Sequence, residues 1–515
     1  MGDDAPSIRM AEVTIALSLA TDLGTGQPMD HALRTCALSL AAAEALGLDD
    51  ATRSCVYYVA LLRFLGCTSD ASDVAVIAGG DDVAFNATMA PILMASAGEA
   101  TRYFVRHLGE GLPMPRRAGR IVRALSDPGW ASRSSSGHCE VGARLARRLG
   151  LDDAVCDALA HAFERWDGKG HPDGQAGEEV PVAVRIVAAA RDAELFTRHF
   201  GWPAARDVLT RRRGRGYDPS VVDILVGDGE RWLSEPGDDP CPAVLDAEPA
   251  PMRTTSDLDT PLRAMADFAD LKSPWFRGHS PAVAELAVAA GTAAGMSHDD
   301  TTRLGRAALV HDVGQVGIAA GIWDHPGPLS AEQWERARLH PYLSERVLRR
   351  CRLLVPLADL AAGHHERADG SGYHRGIAEQ GLAAGLLAVA DAHHAMTEDR
   401  PHRPSPGRAA AAAQLRADAD HGRFGRVAVD AVLEAAGETS RPARRANPAG
   451  LTDREVEVLG LIARGHANKQ VANALGISPK TVGRHVEHIY AKASVTTRAG
   501  ATLFAMEHGL LTGMG

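Results

Sequence analysis

Histidines and carboxylates that can bind metal fall in short, separated motifs of this chain. HDVGQVGI begins at His311, HPYLSE at His340 and HHERADGSGYH at His364, while Asp391 lies in AVADAHHAM and His279-Ser280 stands upstream. Neutral imidazoles and carboxylates are the side chains that hold divalent transition metals. These motifs fall on separate helical segments, which a bundle can bring together. An adjacent pair such as His311-Asp312 at the end of the apolar GRAALVHD helix points its two ligands about 100° apart around the axis, which suits two neighbouring metals. Two metals so held would clamp a phosphate and activate a bridging water for in-line attack.

The elements that must position these residues are helices. Aromatic content is 5%, Ala-rich amphipathic stretches dominate, and alternating β-branched runs are few, so the expected fold is all-α. At 515 residues the chain should divide into about three domains. Pro-rich polar segments at 234–261 and 438–450 are the expected linkers, leaving blocks at 1–233, 262–437 and 451–515. No apolar run approaches the roughly 18–20 residues that span a bilayer, and the acidic start MGDDAP lacks the basic region of a secretory signal. The expectation is a cytoplasmic protein with no membrane partner. The seven cysteines are scattered without a CxxC pair, which points to reduced, packed thiols. A net charge of -10 confines any nucleic-acid contact to a local region.

The two large blocks resemble each other. Aligning ERWDGKG (from Glu164) on ERADGSG (from Glu366) places His138 on His340, and His31 precedes Arg63 by as many residues as His279 precedes His311. In this register Arg63-Phe64 replaces His311-Asp312, Ala162-Phe163 replaces His364-His365, and Arg191 replaces Asp391. The first copy should have lost its metal chemistry, with His31 and His138 as packed core histidines. The Asp167–Gly170 loop reads as a plain turn.

The C-terminal block has its own grammar. Thr452 and Glu455 form a capping box opening a helix with Val456, Leu459, Leu461 and Ile462 on its apolar side, and Gly465 ends it. A second helix runs from Lys469 to Leu475 and stops at Gly476, after which Ser478-Pro479 opens a third. This is a helix-turn-helix pattern. The third helix sets Val482, Val486, Ile489 and Tyr490 against a polar side with Lys480, Thr481, Arg484, His485, His488 and Lys492, a surface suited to a major groove.

Residues 270–437 resemble an HD-GYP domain, a subset of the HD superfamily of metal-dependent phosphohydrolases. His279-Ser280, His311-Asp312, His340-Pro341, His364-His365-Glu366, Asp391 and DRPHRP from Asp399 match the family motifs in order. The resemblance implies His279, His311, Asp312, His340, His364, His365 and Asp391 as metal ligands, two divalent iron or manganese ions as cofactors, and a cyclic dinucleotide such as cyclic di-GMP as substrate. His311 and Asp312 would carry catalysis together with Gln315, and Asp369, Gly370, Gly372 and Tyr373 would form a substrate loop. Four positions depart from the family. Gln315 replaces a lysine, removing a cation for the phosphate. His374 follows Tyr373 where the family has proline, and His394 stands where a second aspartate is common. Trp275 occupies the place of a glutamate found in three-metal members, four residues before His279 as a helical neighbour would be, so two metals are expected.

Residues 451–515 resemble the LuxR-type (GerE-like) domain through LTDREVEVL, NKQVANALGIS and PKTVGRHVEHIYAKASV. That resemblance implies promoter DNA as partner, Lys469, Lys480, Thr481, Arg484, His485 and Lys492 as DNA contacts, and homodimerisation through the fourth helix from Arg498. Gly483 departs from the pattern and costs up to about 1 kcal/mol of helix stability. The architecture expected is two HD-type helical bundles in tandem, the first degenerate, followed by a four-helix LuxR-type helix-turn-helix domain. Two functional readings stay open at this point. One is a DNA-binding regulator that hydrolyses a cyclic dinucleotide, and the other is a nucleotide or metal sensor that controls DNA binding without turnover.

Overall fold

The computed structural model describes residues 8–93, 96, 98–99, 101–102, 106, 114–125, 129–235, 237–378, 380–437 and 447–511. Most of the expected 438–450 linker lies outside them. The chain divides into two compact units, one comprising Met1–Pro261 with Ala319–Gly321, the other Leu262–Ile318 with Ile322–Gly515. Among the described residues the all-α expectation holds, apart from an antiparallel pair of two-residue strands, Ile8–Arg9 and Thr254–Thr255.

That pair corrects the reading of 234–261 as a simple connector. Cys241–Asp246 is helical, and Glu248, buried, accepts from Arg9 Nη2 at 2.9 Å, Tyr58 Oη at 2.6 Å and Arg253 N at 3.1 Å. Its single carboxylate ties the start of the chain, the core helix Asp50–Leu62 and the end of the segment together. A Pro-rich composition signals breaks in helix but is blind to this anchoring.

In the first unit Asp49 caps Asp50–Leu62 by accepting from Thr52 N at 2.8 Å. The helix buries Val56, Tyr57, Tyr58, Leu61 and Leu62 against His31–Ala45 and Val182–Phe200. The second unit repeats the arrangement. Ser297 caps His298–Val310, whose first turn carries Asp299 and Asp300 at the positive end of the helix dipole. This helix packs on His279–Ala293, which also meets Leu382–Thr397 and Arg426–Ala435. His340–Leu348 and Val355–Ala362 complete the bundle around the site.

The duplication extends to backbone contacts. A Cβ on Gly314 would lie 2.3 Å from the His340 carbonyl oxygen, and one on Gly66 would lie 2.1 Å from that of His138. Likewise Gly372 and Gly170 each bring a would-be Cβ within 2.4 Å of the Cα of Glu366 and Glu164. Those two glutamates are buried and pin equivalent loops: Glu366 accepts from Arg375 N and Ile377 N, Glu164 from Asp173 N and Gly174 N.

The C-terminal helices are Asp453–Ala463, Asn468–Leu475, Pro479–Ala493 and Arg498–Glu507. Thr452 and Glu455 form the expected capping box, Gly476 ends the second helix in the left-handed region, and Ser478 caps the third. Val458, Leu459, Ile462, Val471, Val482, Ile489 and Phe504 make a core of their own.

Gly314→Ala should destabilise the second unit by about 1–3 kcal/mol, the usual range for overpacking, because the added methyl meets backbone that cannot rotate away. Chemical denaturation of the full chain would check this, and an unchanged midpoint would contradict the close approach.

Candidate metal centre and DNA-reading helix

His311 follows the helix His298–Val310 directly, His340 opens His340–Leu348, His364 follows Val355–Ala362, and Asp391 lies within Leu382–Thr397. All four are buried. The three imidazoles are held alike: Nδ1 donates to a carbonyl three residues upstream, Ala308 at 2.7 Å, Ala337 at 2.6 Å and Ala361 at 2.6 Å. A carbonyl only accepts, so Nδ1 carries a proton, and in its neutral form each ring presents its lone pair at Nε2. These nitrogens converge. His340 Nε2 and His364 Nε2 lie 3.2 Å apart, each 3.4 Å from Asp312 Oδ1, and His311 Nε2 is 3.5 Å from Asp312 Oδ2.

Such a cluster is unsatisfied by itself. Among the described residues His311 Nε2 and Asp312 Oδ1 are buried without a hydrogen-bond partner, and two Nε2 lone pairs cannot bond each other. A cation among them resolves both deficits, so the residues fit divalent metal ions. Ligand atoms of His340, His364 and His365 lie within 4.8 Å of one another, as do those of His279, His311 and Asp312. Burial pushes His340 down to about 4. Burial opposes the charge on Asp312, but His311, His364 and His340, when protonated, outweigh it and hold the carboxyl well below the usual range.

His279 is held differently. Its Nε2 meets Asp391 Oδ1 at 3.1 Å, while its Nδ1 faces Glu398 Oε2 at 3.3 Å and His394 Nδ1 at 3.0 Å. Burial would lower this imidazole, yet the Asp391 and Glu398 carboxylates override it and raise His279 to about 10. Glu398 escaped the sequence reading: it stands just past the end of the helix Leu382–Thr397 that carries Asp391 and His394, in extended backbone, so helical spacing gave no signal for it. The same geometry corrects the expectation for Trp275. His279 is the first residue of its helix, preceded by Gly278 in the left-handed region, so Trp275 lies in a turn and is no helical neighbour. Its carbonyl accepts from Arg400 Nη1 at 2.7 Å.

Other expected residues are distributed around this centre. His365 approaches Asp391 Oδ2 at 3.8 Å and stacks on Tyr373 at 4.7 Å. Gln315 is buried in the short 3-10 segment after Asp312, and its Nε2 has no partner. Asp369 is exposed and shapes the loop by accepting from Ser371 N and Oγ, with Gly370 at positive φ and Gly372 against Glu366.

In the first block the equivalent positions carry no such ligand set. Arg63 lies over Phe163 at 5.3 Å, and His138, lowered to about 4 by burial, packs on Phe163 at 4.7 Å and meets the Arg63 carbonyl at 3.0 Å through Nε2. Where the second block has His279, His394 and Glu398, the first has His31, Glu194 and Arg198. His31 Nδ1 bonds Glu194, which also accepts from Arg198 Nε at 2.9 Å.

On the third C-terminal helix, Lys480, Thr481 and Arg484 are exposed and His485 is half-buried, while Lys469 is exposed on the second. Lys492 departs from them. Its Nζ donates to Glu455 Oε2 at 2.7 Å and to the Gly450 carbonyl at 3.1 Å, binding the third helix to the capping box. Among the described residues no helix is long and apolar enough to cross a membrane.

Comparison with known proteins gives this architecture its place. The HD domain family matches residues 112–221 and 263–427, together more than half of the chain. The chain belongs to the HD domain family, and residues 449–505 match the luxR family of bacterial regulatory proteins. The 3'3'-cGAMP-specific phosphodiesterase 3 of Vibrio cholerae is 28% identical over 403 residues, which are 76% of this chain and 87% of that protein. The transcriptional regulatory protein MctR of Rhizobium johnstonii is 40% identical over 65 residues, 13% of this chain and 30% of that one. A crystal structure of a cyclic GMP-AMP-specific phosphodiesterase of V. cholerae shares the fold, with a TM-score of 0.59 at 24% identity over 84% of this chain and 99% of that chain.

Because Glu398 holds the outer nitrogen of His279, Glu398→Gln should weaken metal binding by about 10–100-fold, the range for such outer partners, with little change in the melting temperature of the metal-free chain. Competition against a chelator of known affinity would measure it, and an unaltered dissociation constant would remove Glu398 from the centre.

Proposed function

We propose that this protein is a DNA-binding transcriptional regulator whose second HD block is a metal-dependent phosphodiesterase acting on a cyclic dinucleotide. The observation that carries the reading is the convergence of the Nε2 atoms of His311, His340 and His364 on the buried Asp312 carboxylate, whose Oδ1 has no hydrogen-bond partner among the described residues. His311, Asp312, His340, His364, His365, Asp391 and His279 would hold two divalent ions, with iron or manganese suiting the mixed imidazole and carboxylate set. When bound, the metals supply electrophilic activation of a phosphodiester and a nucleophilic water at neutral pH. Hydrolysis consumes one water and breaks one P–O bond, giving the linear dinucleotide.

The chain's own groups fix the geometry for this. The backbone-held rings of His311, His340 and His364 cannot swing out of place, and Asp391 orients His279. Tyr373, stacked on His365 and lying under the Arg338 guanidinium at 5.5 Å, borders the centre on its substrate-loop side. Gln315 would meet the substrate phosphate as a neutral amide donor. In the reader, Lys469, Lys480, Thr481, Arg484 and His485 would contact promoter DNA. A homodimer contacting through Arg498–Glu507 would read a two-fold site. The relative from V. cholerae, specific for 3'3'-cGAMP, supports the cyclic dinucleotide class.

Elemental analysis paired with hydrolysis of cyclic di-GMP and 3'3'-cGAMP tests the reading in wild type and in His311→Ala, Asp312→Ala. Two metals per chain and a linear product, both lost in the double variant, are expected. Metal without product from either nucleotide would leave a sensor, and no metal would overturn the proposal.

The reader separates contact from scaffold. Arg484→Ala should cost about 1–3 kcal/mol in DNA binding with an unchanged melting temperature, whereas Lys492→Ala should lower the melting temperature by releasing Glu455. Fluorescence anisotropy on a target promoter fragment and thermal melts would show whether the two effects divide in this way.

A further inference from the structure

The first block contains buried cationic groups whose donors lack an acceptor among the described residues. Arg63 is 7% exposed, and its Nε and Nη1 are buried without a hydrogen-bond partner. Arg191 donates through Nη1 to the Ala90 carbonyl at 2.6 Å and to Asp192 at 2.7 Å, but its Nε is also buried and unpartnered. The two guanidinium carbons lie 6.0 and 5.6 Å from the centroid of one ring, Phe64. His31 Nε2, the counterpart of the His279 nitrogen that meets Asp391, is a fourth such buried atom without a partner among the described residues.

The carboxylates nearby are already engaged. Asp192 is held by Arg191, by Arg212 Nη1 at 2.6 Å and by the Tyr217 hydroxyl, and Glu194 is held by His31 and Arg198. Burial, then Arg191, lowers Arg63 to about 10, which leaves it charged at neutral pH. Ring faces attract a guanidinium but accept none of its N–H groups in the plane, where a fork of donors needs oxygens. Oxygens of a phosphate match that fork.

We propose that the first block is an anion site, in which Arg63 and Arg191 stand where the second block gathers metal ligands and hold a phosphate group. The cations that attract phosphate in the second block would be metals, and in the first they are side chains. Free phosphate and the phosphodiester of a cyclic dinucleotide share this chemistry. The site needs neither metal nor turnover, so it stands apart from the activity proposed for the second block.

The test uses the full-length chain carrying His311→Ala and Asp312→Ala and freed of metal by chelation, which silences phosphate binding in the second block. Calorimetric titration with inorganic phosphate, and separately with cyclic di-GMP, should show saturable binding of one equivalent by at least one probe. Binding should weaken about ten-fold or more in Arg63→Met and in Arg191→Met. Phosphate alone binding would identify a free anion as ligand, and tighter binding of the dinucleotide would identify the diester. Melting adds a readout that simple packing would not share. Without ligand, Arg63→Met should raise the melting temperature, since it removes an unpaired buried charge, and it should abolish the increment that the bound probe gives to the parent. Binding of neither probe, undiminished binding in both variants, or a fall in the ligand-free melting temperature of Arg63→Met would overturn the proposal.

Discussion

The last carbonyls of a helix have no partner within it, and this structure answers three of them with imidazoles. Ala308, Ala337 and Ala361 each lie in the final turn of a helix, and each accepts Nδ1–H from a histidine three residues on. One bond therefore does two things. It satisfies a buried backbone acceptor, and it fixes the tautomer and direction of a ring whose other nitrogen faces the centre. Ser344 adds a fourth tie, donating to the His311 carbonyl at 2.7 Å and accepting from Gly314 N at 2.8 Å. These three candidate ligands are thus features of helix ends, and the bundle has only to bring those ends together with Asp391 from the interior of Leu382–Thr397.

In the first block the same backbone persists without that chemistry. Its close glycine contacts and its loop-pinning glutamate remain, since they serve packing in either copy. The charges around the centre are exchanged instead. A histidine gives way to Arg63, a carboxylate to Arg191, and the His394 and Glu398 positions to Glu194 and Arg198. His31 keeps its place and a carboxylate on Nδ1, now Glu194, which Arg198 also shares, but its Nε2 lacks the carboxylate that His279 meets in Asp391. Helix spacing is common to the two copies while the sign of the buried charge is not, which is the pattern of a duplicated scaffold serving two different electrostatic ends.

Much of this was legible in the sequence because its signals are local. A capping box at Thr452, a Ser-Pro helix start and glycines at helix ends are read from a few neighbouring residues, and the duplicated motifs fixed their own register. Glu398 was harder, since its importance lies in facing His279 across the bundle from a position just beyond the end of the Asp391 helix, where helical spacing no longer reports which residues are neighbours. Trp275 misled because a four-residue spacing makes neighbours only inside a helix, and Gly278 marks where this helix starts. Segment 234–261 misled for a related reason: Pro and Gly report where helices break, and they are silent about a buried Glu248 that draws the broken chain onto the core.

Charge sets the terms on which the reader can meet DNA. Its cations are Arg454, Arg464, Lys469, Lys480, Arg484, Lys492 and Arg498, but several are engaged inside the domain. Arg454 pairs with Glu457 at 2.6 Å, Lys492 with Glu455, and Arg498 donates to the carbonyls of Ile462 and His466. Lys469, Lys480 and Arg484 make no ion pair among the described residues, and all are exposed. Each phosphate neutralised contributes about −0.9 to the slope of log affinity against log salt. With so few outward cations, one copy should show a shallow slope and weak non-specific attraction, all the more in a chain of net charge -10. Tight binding then requires either base contacts from the third helix or a second reader on the same site, and the steepness of the salt dependence distinguishes the two, because pairing readers doubles it and base contacts leave it unchanged.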